Sequence, residues 1–90
     1  MALYARMLWF SGPLEEVEAA AVGHAEQLDS LSAEGRLHFA GSFGDGDGYF
    51  EVFEVADRHE AERLTRASPL VEAGLTSWTL RRWLDRVETS

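Results

Sequence analysis

From Ala2 to Phe10 every position except Arg6 is apolar. Leu3, Ala5, Met7 and Trp9 share one parity; Tyr4, Arg6, Leu8 and Phe10 share the other. Successive residues of a strand point to opposite faces, so this segment reads as a central strand covered on both sides. Ser11-Gly12-Pro13 interrupts it, and the period then changes. Leu14, Val17, Ala21, His24, Leu28 and Leu31 recur at steps of three and four, the stripe of an amphipathic helix over about Pro13 to Ala33. Ser11 or Gly12 is the expected cap, Glu15 and Glu16 lie favourably against the helix dipole, and Gly35 suits a left-handed stop.

Leu37 to Phe43 predicts a strand with Leu37, Phe39 and Phe43 on one parity, and Tyr49 to Ala56 predicts another. In the second, Tyr49, Phe53 and Val55 oppose Phe50 and Val52. The intervening Gly44-Asp-Gly-Asp-Gly48 reads as a hairpin turn. Asp57, with Glu60 three residues on, caps a helix over Arg58 to Ala67, whose core edge is Ala61 and Leu64. Ser68-Pro69 stops that helix, and Leu70, Val71 and Gly74 make a tight connection to a last strand, Leu75 to Leu84. The polar tail from Asp85 to Ser90 is expected to fray.

The order β-α-β-β-α-β predicts one α+β domain over residues 1–90, of the ferredoxin-like kind: a four-stranded antiparallel sheet with two helices on one face. Two helices cover only one side of such a sheet. Trp9 and Phe10 are adjacent, as are Tyr49 and Phe50, so one member of each pair faces away from the helices. A contiguous aromatic patch of that kind marks an interface, and the expected partner is a second copy of the chain, sheet against sheet.

Composition narrows the function classes. The 90 residues carry a net charge of −8 and no cysteine, which excludes disulfides and thiolate chemistry. All eight basic residues are arginine, so no lysine is present to form a Schiff base. The acidic balance opposes nucleic acid and anionic lipid. No run approaches the ~20 apolar residues of a membrane span, and a cytoplasmic location is the expectation. His24, His38 and His59 fall on separate elements without ligand spacing, so no metal is expected.

Four stretches carry a resemblance: His24-Ala-Glu-Gln-Leu28, Glu34-Gly-Arg-Leu37, Ala40-Gly-Ser-Phe43 and Pro69-Leu-Val-Glu-Ala-Gly74. In that order they resemble the YciI-like (YCII) family of the dimeric α/β-barrel superfamily, over nearly the whole chain. The resemblance implies a sheet-to-sheet homodimer and a histidine–aspartate pair in a small pocket. Ser68 stands where the family has its aspartate. A hydroxyl does not stabilise an imidazolium as an anion does, so His24 needs another acid or is a weaker base.

The candidate chemistry follows from these residues. An imidazole suits proton transfer near neutrality, which makes His24 the candidate general acid or base. Its bland alternative is a core histidine bonded to backbone or to Ser68. Ser68 orients His24 or merely ends a helix. Arg6, alone in an apolar strand, binds a ligand's negative charge by a forked contact or pairs with Glu51 or Glu54 across the sheet. Tyr4 and Ser42 are candidates to lend polar groups to the same pocket. With the resemblance to the YciI-like family, these residues imply cofactor-independent proton transfer, isomerisation or elimination on a small aromatic or carbonyl compound. The alternative is a non-catalytic ligand-binding or structural dimeric module.

Overall fold

The computed structural model describes residues 1–85. Its elements are β1 (Ala2–Phe10), α1 (Leu14–Ala33), β2 (Leu37–Ser42), β3 (Gly48–Val55), α2 (Arg58–Ala67), α3 (Pro69–Glu72) and β4 (Thr76–Trp83). The strands form one antiparallel sheet in the order β2-β3-β1-β4. This is the α+β arrangement that the hydrophobic pattern predicts, with the most apolar strand, β1, between two others. No helix among the described residues is long and apolar enough to cross a membrane.

The β1–β3 register fixes the two faces. Tyr4 lies opposite Phe53, Arg6 opposite Glu51 and Leu8 opposite Tyr49 on the face toward the helices. Tyr4, Phe53 and Val55 join Leu31 of α1, Ala61 of α2 and Leu80 of β4 in one hydrophobic cluster. Val17 of α1, Leu70 of α3 and Leu75 form a second. Ala5 opposite Val52 and Met7 opposite Phe50 lie on the other face.

Local chemistry explains most boundaries. Asp57 accepts a hydrogen bond from the Glu60 amide at 2.9 Å, while Glu60 returns to the Ala56 amide at 2.8 Å, a reciprocal cap that starts α2. Gly35 takes the left-handed conformation (φ 73°) that ends α1. Gly48 begins β3 where a Cβ would sit 1.9 Å from the Leu8 carbonyl oxygen, so only glycine lets the strands close there.

Four local expectations are corrected. The cap position of α1 is Pro13, with no side-chain bond, rather than Ser11 or Gly12. Leu14 is 70% exposed; the helix first meets the core at Val17, against Leu70 and Leu75. A bulge in β2 between Leu37 and Phe39 turns these two to opposite faces, Leu37 to the core and Phe39 toward Val52. An extra residue in one strand reverses the alternation beyond it. Finally, the connection after Ser68 coils into the single turn α3.

Candidate active site

The central feature is a chain of polar side chains sealed between the sheet and the helices. β1 and β3 place Arg6 and Glu51 side by side, and Arg6 Nε donates to Glu51 Oε1 at 2.7 Å. α1 brings His24 above them, its Nε2 2.5 Å from Glu51 Oε2. Its Nδ1 lies 2.7 Å from the hydroxyl of Ser68, at the joint of α2 and α3. One turn along α1, Gln27 accepts from Arg6 Nη1 at 3.1 Å and donates to the Leu64 carbonyl of α2 at 2.7 Å. Arg6 and Ser68 are 0% exposed, His24 and Glu51 1%. Charges withdrawn from water to this degree persist only when paired and hydrogen-bonded.

The electrostatics follow from that geometry. Burial by itself would raise the Glu51 carboxyl, but the His24 hydrogen bond and the Arg6 charge outweigh it and hold the group below its ordinary value. Burial lowers the Arg6 guanidinium, and Glu51 opposes the shift. The Arg6 guanidinium also lies over the Phe53 ring, 5.0 Å from its centroid, while its Nη2 has no partner within the described residues. The Tyr49 ring stacks on His24 at 5.3 Å and 8°. Burial and then the Glu51 charge raise the Tyr49 hydroxyl above its ordinary value. Tyr49 is half-buried, so it stands between the imidazole and the surface.

The candidate residues thus have definite places. His24, Ser68 and Arg6 meet in one network. Tyr4 is a core residue among Leu31, Phe53 and Leu80. Ser42 ends β2 opposite Tyr49 and is exposed. Arg6 is turned inward onto Glu51. Sequence reasoning named Glu51 only as a possible partner for Arg6 and missed its contact with His24. It also missed Gln27 and Tyr49. Gln27, three residues after His24, shares its side of the helix, a spacing that was legible. No spacing signals Glu51, because its bond to His24 depends on where α1 crosses the sheet.

Chemically, an imidazole bracketed by a carboxylate and a hydroxyl can accept, hold and release a proton. The open face of the sheet is different. Phe39, Phe50, Val52 and Trp83, with His38 and Asp85, frame a concavity of about 320 Å³. Phe50 makes edge contacts with both Phe39 (5.5 Å) and Trp83 (5.9 Å).

Comparison with known proteins agrees with this architecture. The solved structure of 5-chloro-2-hydroxyhydroquinone dehydrochlorinase (TftG) from Burkholderia phenoliruptrix AC1100, in complex with 2,5-dihydroxybenzoquinone, superposes with a TM-score of 0.62. The match covers 89% of this chain and 93% of that one at 18% identity, and it shows a shared fold. The uncharacterized protein YjpA of Bacillus subtilis (strain 168) is 41% identical over 61 residues, 68% of this chain and 72% of YjpA. The model of the YCII-related domain matches residues 3–84. With nearly the whole sheet-and-helix unit inside that match, the chain belongs to the YciI-like, or YCII-related, family.

Proposed function

We propose that this protein carries out cofactor-independent proton transfer on a small aromatic or carbonyl compound, in an isomerisation or elimination, with His24 as the acid–base group. The observation that carries the reading is the placement of the two imidazole nitrogens, one 2.5 Å from a carboxylate and the other 2.7 Å from a hydroxyl. A base so held takes a proton from carbon or oxygen, and returning it elsewhere, or releasing a leaving anion, completes the reaction. Ser68 orients the ring, and Arg6 secures the negative charge of Glu51. The structurally similar TftG is a dehydrochlorinase whose complex holds 2,5-dihydroxybenzoquinone. That makes hydroxylated six-membered rings the first compounds to test. Tyr49, stacked on His24 at the edge of the sealed network, is the side chain such a ring would displace.

The working unit we propose is a homodimer joined through the open sheet face. The exposed Phe39 and Trp9, with the aromatic groups beside them, form the contiguous apolar surface that a second copy would cover.

A second reading is favoured by the near-complete burial of Arg6, His24, Glu51 and Ser68: a non-catalytic module in which the network only organises the fold or holds a ligand. Turnover of a panel of quinols, phenols and lactones separates the two. Under the catalytic reading the wild-type protein turns over a member of the panel, and His24→Gln lowers its rate by about 10²–10⁴. A thermal shift with a panel member and no turnover supports the binding module instead.

A further inference from the structure

We propose that Glu51 is the positioning residue of this site: whenever the His24 ring is neutral, Glu51 holds it from the sheet in one tautomer, with the proton on Nε2. Nδ1 is then left as the proton acceptor, facing the Ser68 hydroxyl. Its catalytic meaning rests on the reading of His24 as the acid–base group, but the tautomer stands on geometry alone.

The assignment follows from counting donors and acceptors along the chain. A guanidinium donates and never accepts, so the Arg6 Nε contact at 2.7 Å requires a lone pair on Glu51 Oε1. A cation at that distance keeps the carboxyl ionised, and an ionised carboxylate only accepts. The 2.5 Å contact at Oε2 therefore needs its proton from His24 Nε2. In a neutral imidazole the other nitrogen then carries a lone pair. The 2.7 Å contact at Nδ1 must use the proton of the Ser68 hydroxyl.

Ser68 is free to give it. A hydroxyl at a helix end ordinarily bonds to local backbone, as Thr65 does one turn earlier by donating to the Ala61 carbonyl at 2.8 Å. Ser68 stands at the cap of α3, yet its side chain makes no cap bond. Its backbone performs the joint instead: the amide donates to the Thr65 carbonyl, and its own carbonyl accepts from Val71 and Glu72. The hydroxyl proton is thus directed at His24. Rotation of the ring is opposed by Tyr49, stacked at 8° to its plane. Glu51 is held through Arg6, which Gln27 ties to α1 and, through the Leu64 carbonyl, to α2. The single tautomer thus depends on the sheet and both long helices together.

The mechanistic consequence is a direction. The nitrogen left to accept a proton is Nδ1, the one facing the Ser68 hydroxyl. The Nε2 proton stays against Glu51, which stabilises the ring when it becomes charged.

The test is ¹⁵N NMR of the full chain labelled at histidine, with the His24 signals identified by their loss in His24→Gln. The neutral wild-type ring is expected to carry its proton on Nε2 and to show an unprotonated Nδ1. A proton on Nδ1 of the neutral ring overturns the proposal without any variant. In Glu51→Gln the amide oxygen must stay toward Arg6 Nε, which only donates, so the NH2 group faces Nε2 and a folded variant should carry the ring proton on Nδ1; an unchanged single Nε2–H form overturns the proposal. Glu51→Gln combined with Ser68→Asp moves the carboxylate to the other nitrogen, and the proton is expected to move to Nδ1. The outcomes separate the two readings. An Nε2–H ring in a protein that turns nothing over leaves this inference standing and removes the catalytic one. His24-dependent turnover with an Nδ1–H ring does the reverse.

Discussion

The two faces of the sheet solve opposite problems. The face toward the helices buries a cation, an anion, an imidazole and a hydroxyl, all within one protomer and nearly all with partners. The open face sets Phe39, Phe50, Val52 and Trp83 beside Glu54, Thr79 and Arg81, and it leaves Phe39 55% and Trp83 39% exposed. Paired charges are thus held where water is absent, and large aromatic rings are exposed where water has access. Hydrophobic burial alone would give the reverse arrangement. The difference teaches that the polar side finds nearly all of its partners within a single chain, while the open side leaves large apolar side chains in water.

The comparison breaks most sharply at Glu51. Glu51→Leu leaves Arg6 buried without its counter-charge and should destabilise the fold by about 3–5 kcal/mol in chemical denaturation. Arg6→Met combined with Glu51→Leu removes both charges and should recover most of that loss. Equal losses in the single and double variants would mean that shape rather than charge decides the site.

The next effect belongs to the open face. Phe50→Asp places a charge between Phe39 and Trp83 and should weaken self-association by about 2 kcal/mol, roughly thirtyfold in the dissociation constant. Sedimentation equilibrium measures it. A wild-type chain that is monomeric across the accessible range would remove the homodimer from the account.

A smaller effect separates the faces by pH. Glu51 has a folded value below its ordinary 4.5. A carboxyl lowered on folding contributes stability fully above its unfolded value and loses it as pH falls through the folded one. Wild-type stability should therefore drop more steeply below about pH 4.5 than that of the Arg6→Met, Glu51→Leu double variant. Denaturation midpoints at pH 7 and in the acid range give the comparison, and parallel curves would contradict the ionised state of Glu51.

The smallest effect is a surface control of the same chemistry. Arg58 and Glu62 pair at 3.0 Å, four residues apart and largely exposed. Glu62→Ala should cost only about 0.3–0.5 kcal/mol, because water screens the pair and the side chains lose entropy in making it. A cost approaching that at Glu51 would mean that burial does not set the worth of these ion pairs.

The nearly unbroken apolar run from Ala2 to Phe10, the threefold and fourfold steps through Val17, His24 and Leu31, and the Asp57–Glu60 cap determined the elements by themselves. These signals are local, each written within a few turns or a single strand. Two apolar parities in β1 and β3 also revealed that both sheet faces are greasy, since strand geometry alone enforces alternation. The bulge that separates Leu37 from Phe39 lay beyond that reasoning, because it arises from pairing with β3 rather than from β2 itself. The site divided in the same way. His24 stood out as a polar residue on an apolar stripe, and Arg6 as a charge in an apolar strand. Their meeting through Glu51, 27 positions after His24 and 45 after Arg6, was decided only when the strand register set Glu51 beside Arg6 and α1 crossed above it. Pattern fixes which way a side chain points along its own element. Only packing brings the ends of separate elements within hydrogen-bond reach.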